Sequence, residues 1–584
     1  MKTPKAEEKN RPSGALSFDT LPALFDHAVE AYPSRVAMKS QHAWGYQSIT
    51  YGEMGRLISY LGTGLIERGL EKGDRVVLIA DNSPEWCLVY AAVTSAGGIV
   101  VPLEIHMREN EIRHLMLHSE SKFLVTSPQI HSDQIEGMNL QDVQVIVIGE
   151  KESGLGGTSL GEVMAEGKER INSGSGTFFN RKAGIAPEDT AAICYTSGTT
   201  GQPKGVVLLH RNLVSNAKAL LDRFSITEED IFLCLLPLYH TFATTTNFLV
   251  TSASGCSVAF AQSLKSRDIR EDIEREGITV LIGVPLLFEH FATSIRKGIE
   301  QAPAGKRVLF KALKGIAAGI EKLFRRNVGA AFFGKQRAKG GLGNLRFCVS
   351  GAAALRRDVE DAINSIGLPI LQGYGLTEAS PVVAVNPPEK PKKGTVGPAL
   401  GGVELELSNP NEEGVGEVTV RGDNVMKEYW RNPEATREAL RDGWLYTGDL
   451  GTLDRDGYLT IVGRHKDIIV TSGGKNVMPQ EIEQLLHNSP FILESIVLGA
   501  KDKRRNDRVA AIIVPDYDTL GSEPSLKDNL TEKGIKSVIS EEIKKCCADL
   551  PDYKKIFDFQ IRDEELPKTP TRKVKRHLVT WIKE

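Results

Sequence analysis

The chain has 584 residues, more than one hydrophobic core commonly supports, so at least two domains are expected. Hydrophobic residues at 41% and charged residues at 25% are those of an ordinary globular protein, and a net charge of -3 excludes a global pull toward nucleic acid. The polar start MKTPKAEEKNRPSG lacks the apolar core of a secretory signal. The most apolar stretch, Leu88 to Val101, is interrupted by Ser95, Gly97 and Gly98 and is too short to span a bilayer. Cysteines 87, 194, 234, 256, 348, 546 and 547 form no CxxC pair, which suits neither a zinc site nor a disulfide framework. The expectation is a cytoplasmic protein of enzyme size with reduced thiols.

In chain order, RVVLIA (75–80), GGIVVPLEI (97–105), SKFLVTS (121–127) and VQVIVIGE (143–150) read as buried strands, with helices over 85–96 and 109–120 between them. This alternation predicts layered α/β architecture with largely parallel sheets. Glu150 to Gly176, polar and rich in Gly and Ser, reads as a surface connection. After about residue 395 the pattern changes to the alternating strands VELELSNP, GEVTVRG and GYLTIVGR, a small antiparallel β subdomain. Beyond Arg464 comes an α+β tail with DIIVTSGG, a helix opened by Pro479, and the strands SIVLGA and AAIIVPD. The expected organisation is α/β: a large N-terminal domain over 1–464, with layered α/β subdomains plus the β subdomain, and a small α+β C-terminal domain over 465–584.

The segment YTSGTTGQPKG (195–205) follows the apolar run AAICY. Thr196, Ser197, Thr199 and Thr200 add hydroxyl donors, Gly198 and Gly201 let backbone N–H groups approach phosphate oxygens, and Lys204 supplies charge. GxxxxGK[ST] cannot be laid on it, so it is not a Walker A loop. The segment resembles the signature loop of the adenylate-forming (acyl-activating) superfamily. Further segments agree in order: QGYGLTE (372–378), YTGD (446–449), GRHKD (463–467) and PKTPTRK (567–573). The resemblance runs from about residue 20 to the end and is greatest to long-chain fatty acid–CoA ligases.

The resemblance implies ATP, Mg²⁺ and CoA, and assigns residues to them. Thr196, Ser197, Thr199, Thr200 and Lys204 would hold the β- and γ-phosphates within a loop completed by Gly198 and Gly201. Thr377 would contact the α-phosphate, and Glu378 would ligate Mg²⁺ as a hard oxygen donor. Tyr374 would stack on adenine, with Gln372, Gly373 and Gly375 in the same motif and Gly351, Ala352 and Ala353 lining the adenine edge. Asp449 would accept from both ribose hydroxyls, with Arg464 nearby. Lys573 would carry adenylation, offsetting charge between the carboxylate and the α-phosphate. The family's usual glycine before this lysine is replaced by Arg572. Lys466 would be the hinge of a mobile C-terminal domain, and Ser472, Gly473, Gly474 and Lys475 would approach the pantetheine of CoA.

LPLYHTFA (236–243) resembles the motif lining the acyl side, with His240 as a gate or orienting group. Between Pro285 and Gly341 lies an insertion that small-acid members mostly lack, which argues for a fatty acyl substrate. Within it, Leu309, Leu313, Ile316, Ile320 and Leu323 recur at helical spacing among basic residues that run from Lys306 through Arg337 to Lys339. Such a helix suits peripheral contact with the inner membrane surface over 306–339, and it equally suits an apolar stripe packed on the N-terminal domain. Two other functions stay open: a fatty acyl-AMP ligase or acyl-carrier-protein synthetase, and a ligase for aryl or other acids. Oligomeric state is not legible.

Overall fold

In the computed structural model the described residues are 17–41, 47–130, 134–135, 138, 140, 142–149, 157–196, 203–301, 303–305, 307–308, 310, 312–313, 315, 333–334, 337–338, 340–501, 507–522, 531–568 and 574–581. They fall into two compact units. The first comprises Met1–Tyr195, Gly205–Glu229 and Leu238–Val258; the second comprises Thr196–Lys204, Asp230–Pro237 and Ala259–Glu584.

The first unit is built on parallel strands. Ile99–Pro102, Arg75–Ile79, Ser121–Thr126, Gln144–Val147 and Thr158–Ser159 lie side by side in that order, every pair parallel. Thr190–Thr196 and Lys204–Leu209 extend the sheet beyond Ile99–Pro102. Strands covered on both faces need continuous apolar runs, and Val76 to Ile79 are all buried. The helix Pro84–Ser95 is buried at every position, as its apolar run from Trp86 to Val93 requires, and Glu85, Thr94 and Ser95 are buried with it.

The expected connection over Glu150–Gly176 contains a helix instead, Leu160–Asn172. Its start is fixed by a capping box, in which Ser159 Oγ accepts from Glu162 N at 3.1 Å and Glu162 accepts from Ser159 N at 2.7 Å. Glycines let it lie close to the helix Tyr51–Glu67. A Cβ on Gly167 would stand 1.9 Å from Tyr60 O, and one on Gly64 would stand 2.0 Å from Val163 O. Gly167, within the stretch that reads as a surface connection in sequence, is in the fold a helix-packing residue.

In the second unit, Ile231–Cys234, Val280–Gly283, Phe347–Ser350 and Ile370–Gly375 form a parallel sheet, closed by the antiparallel strand Val382–Val385. An apolar cluster that includes Leu281, Phe288, Phe333, Cys348 and Val359 packs it, with Phe310 and Leu313 half-buried against the same cluster. Leu309, Ile316, Ile320 and Leu323 of the insertion lie outside the described residues. Arg337 corrects the membrane-facing reading at its own position. It is 6% exposed and donates to the carbonyls of Gly367, Leu342 and Leu345, so its charge caps buried backbone.

The β subdomain is antiparallel throughout: Val403–Ser408, Gly416–Gly422, Trp444–Leu453 and Leu459–Arg464 follow one another, and Leu440–Arg441 also pairs with Trp444–Leu453. The C-terminal α+β part has a hairpin, Ile469–Val470 with Asn476–Val477, and a sheet of Ile492–Lys501, Asp507–Pro515 and Asp558–Ile561. The helices Pro479–Leu486 and Glu532–Cys546 cover one apolar cluster on it. The fold is therefore α/β, with a large N-terminal domain and a smaller C-terminal one. Among the described residues no helix is long and apolar enough to cross a membrane.

Candidate active site

Strand ends carry the polar groups of the second unit. Phe347–Ser350 ends at Gly351, whose N–H donates to Gly283 O at 3.1 Å, and the chain then turns through Ala352 at φ +69°. A left-handed alanine is strained backbone, and it leaves Ala352 and Ala353 exposed beyond the strand. On the neighbouring strand Gln372 is buried and tethered: its Nε2 donates to Glu360 at 3.1 Å, and its Oε1 accepts from Leu355 N at 3.4 Å.

The same strand delivers Tyr374, whose hydroxyl donates to Asp449 Oδ2 at 2.7 Å. Asp449 Oδ1 accepts from Arg464 Nε at 2.7 Å, because Asp449 and Arg464 face each other across an antiparallel pair. Asp449 is 4% exposed, which excludes a solvated turn acid. Burial, and then the Asp449 charge, push the Tyr374 hydroxyl well above its ordinary value, so it remains a donor at neutral pH. The carboxylate that the resemblance reserves for ribose thus already holds one phenol and one guanidinium, and its spare lone pairs define what it can still accept.

Gly375 is dictated by space, since a Cβ there would meet Pro381 O at 2.0 Å. Immediately after it, Thr377–Ala379 forms a short 3₁₀ turn, with Glu378 O accepting from Met426 N at 2.8 Å. Glu378 Oε1 accepts from the Tyr429 hydroxyl at 2.8 Å. Lys204 Nζ stands 5.0 Å from the centre of the Tyr429 ring. Tyr429 therefore joins a carboxylate to Lys204, near the end of the 195–205 segment. Sequence reasoning missed it, because an aromatic residue in EYW carries no motif signal. Thr196 Oγ1 donates to Lys204 O at 3.5 Å across the loop base. Ser197, Gly198, Thr199, Thr200 and Gly201 lie outside the described residues, as do Arg572 and Lys573.

Farther along, Lys466 is exposed in the turn His465–Asp467. The Ser472–Lys475 loop is closed by Thr471 N to Lys475 O at 3.0 Å and anchored by Ser472 N to Asp507 O at 3.0 Å. Gly474 sits at φ +69°, and a Cβ on Gly473 would meet nothing within 4 Å.

His240 belongs to the first unit, where it precedes the turn Thr241–Ala243 and a π-helix over Thr244–Leu249. Its ring lies 4.5 Å from that of Tyr239, and its Nε2 is buried without a hydrogen-bond partner among the described residues. Burial lowers its pKa to about 4, so the ring is neutral at physiological pH. In the same unit the Tyr195 hydroxyl lies 2.7 Å from His118 Nδ1.

The order of these segments along the chain agrees with what comparison finds. The AMP-binding enzyme family matches residues 25–430, and the AMP-binding enzyme C-terminal domain matches 481–573. The chain belongs to the AMP-binding enzyme family. It is 31% identical to the long-chain-fatty-acid–CoA ligase FadD15 of Mycobacterium tuberculosis, over 91% of this chain and 90% of that protein. It is 29% identical to feruloyl-CoA synthase of Amycolatopsis sp, over 83% and 88%. Among solved structures, ATP-bound MatB from Rhodopseudomonas palustris superposes with a TM-score of 0.71 at 27% identity, over 96% of this chain and 98% of that one.

Proposed function

We propose that this AMP-forming acyl-CoA synthetase is a fatty acid–CoA ligase acting on medium- to long-chain acids. The carboxylate displaces pyrophosphate from ATP to give an acyl-adenylate, and the CoA thiol then displaces AMP. The observation that carries the reading is the meeting of Glu378, Tyr429 and Lys204, brought from three distant segments. It sets a carboxylate and an ammonium on one phenol, directly beyond the strand that presents Tyr374. Similarity to a long-chain-fatty-acid ligase over 91% of the chain supports the fatty acyl assignment.

The residues fit Mg²⁺. Among the described residues no three His, Cys, Asp or Glu side chains form a closed cage, and Mg²⁺ commonly binds one or two carboxylates together with substrate phosphates. Glu378 would supply that carboxylate, and the ion would neutralise charge on phosphate oxygens. Thr377 and Lys204 would orient those phosphates, with the 195–205 loop around them. Tyr374 would face adenine, and Asp449, held by Arg464, would accept from ribose. His240, neutral and desolvated, orients the acyl carboxylate and carries no charge to it.

Lys573 would bridge the carboxylate and the α-phosphate in the first step. A turn of residues 465–584 about Lys466 would then withdraw it and bring Ser472–Lys475 to the pantetheine. The deciding experiment incubates the protein with ATP, Mg²⁺ and a series of fatty and aryl acids, with and without CoA, following AMP and thioester. Acyl-CoA with a chain-length optimum is the expected result. Pyrophosphate without thioester would transfer the chain to the acyl-AMP or carrier-protein class. Turnover confined to aryl acids would overturn the fatty acyl assignment.

A further inference from the structure

Residues 569–573, which include Lys573, lie outside the described residues, but the chain on either side of them is paired. Lys568 and Val574 form an antiparallel bridge, and Lys575 N donates to Pro567 O at 2.7 Å. Leu566 and Val574 are seated on an apolar cluster with Ile496, Ile512 and Val514, which fixes the base to the sheet of Ile492–Lys501 and Asp507–Pro515. One carboxylate holds the incoming arm, Leu566–Lys568, at two points. Glu494, on the strand Ile492–Lys501, accepts from Leu566 N at 2.9 Å through Oε2 and from Lys568 Nζ through Oε1. Lys568 also donates to Glu565 at 2.9 Å. The Glu494 and Lys568 side chains are only 17% and 14% exposed, so this pair is largely shielded from water and keeps its strength.

We propose that Glu494 and Lys568 are positioning residues for the first half-reaction. Their ion pair clamps the base of the loop and so sets where the Lys573 ammonium stands. The inference rests on the reading of Lys573 as the adenylating lysine. Neither residue needs to touch a substrate. Apolar docking alone seats Leu566 and Val574 on the sheet face without fixing their position along it. A directional charge pair with a backbone donor fixes that position, and a displacement of about 1 Å at a reacting group can cost about 100-fold in rate.

The two half-reactions separate a clamp from a general structural role. In the full-length protein, pyrophosphate release from ATP and acid without CoA reads the first. Thioester formation from supplied acyl-adenylate and CoA reads the second. Glu494→Gln and Lys568→Met are expected to slow the first roughly 10- to 100-fold and to leave the second within about twofold. Lys568→Arg, which keeps the charge, should retain most of the rate, and the double variant should be no slower than the worse single one. Equal loss in both half-reactions, or no loss in either, would overturn the clamp. Lys573→Ala keeps the two readings apart. If it loses the first half-reaction while Glu494→Gln does not, the clamp fails. If it keeps that half-reaction, the reading of Lys573 fails instead.

Discussion

Asp449 and His240 are both buried polar groups at motif positions, yet their surroundings are opposite in kind. Each Asp449 oxygen has a donor, Tyr374 on one side and Arg464 on the other, at 2.7 Å each. His240 keeps a buried Nε2 without a partner among the described residues. A charge can be buried only where partners replace its hydration, so the first environment sustains an anion. The second sustains only a neutral ring, which burial holds at a pKa of about 4. Under the proposed function, the nucleotide side would work by fixed charge, and the acyl side by shape and desolvation.

The largest expected effect would break the frame that delivers Tyr374. Gly375→Ala places a Cβ 2.0 Å from Pro381 O, a backbone atom that cannot step aside. A loss of about 3 kcal/mol or more is expected in chemical denaturation. A midpoint equal to the parent's would show that the close approach is not needed.

Next comes the charge itself. Asp449→Asn removes the anion that Arg464 and Tyr374 share, and about 2 kcal/mol, or roughly 30-fold in KM for ATP, is expected. An unchanged KM would detach this network from the nucleotide.

The contrast also has a pH signature. His210 is fully buried, accepts from Leu21 N at 3.2 Å, and is lowered to about 4 by burial, against an opposing influence from Asp189. His240 and His487 are lowered to about 4 as well. A neutral native histidine takes up fewer protons than its unfolded form. Stability is therefore intact above about pH 6.5 and falls as the pH drops from there toward about 4, by roughly 1.4 kcal/mol per pH unit for each such histidine. His210→Gln keeps an acceptor for Leu21 N and should flatten one share of that slope, read as denaturation midpoints at pH 7 and pH 5. An unchanged slope would mean that His210 is protonated in the native state.

The smallest effect sharpens the comparison most finely. Tyr374→Phe keeps the ring and deletes one donor to Asp449, so about 1 kcal/mol, or a few-fold in KM for ATP, is expected. A loss as large as that of Asp449→Asn would make the phenol, and not the guanidinium, the main support of the anion.

Much of this was legible in the sequence because it depends on short-range pattern. Buried strands such as 75–79 read as apolar runs, and the β subdomain read as alternation. The helix Leu160–Asn172 had a local signal, Ser159 with Glu162, which its glycines obscured. Tyr429 had none, since its role exists only where Glu378 and Lys204 meet it. Arg337 looked like one of many surface cations, and only the fold shows the three carbonyls that it caps.

The sequence by itself determined the family, the α/β class and the order of the motifs, because residue type and local spacing are enough to specify backbone approach, hydroxyl donors and strand periodicity. Tertiary structure alone decided which polar groups are paired. The bonds of Asp449, the reach of Tyr429 and the carboxylate of Glu494 beneath the Lys568–Val574 bridge join residues far apart in the chain. Whether a buried charge is sustained depends on those three-dimensional neighbours and on the water they exclude.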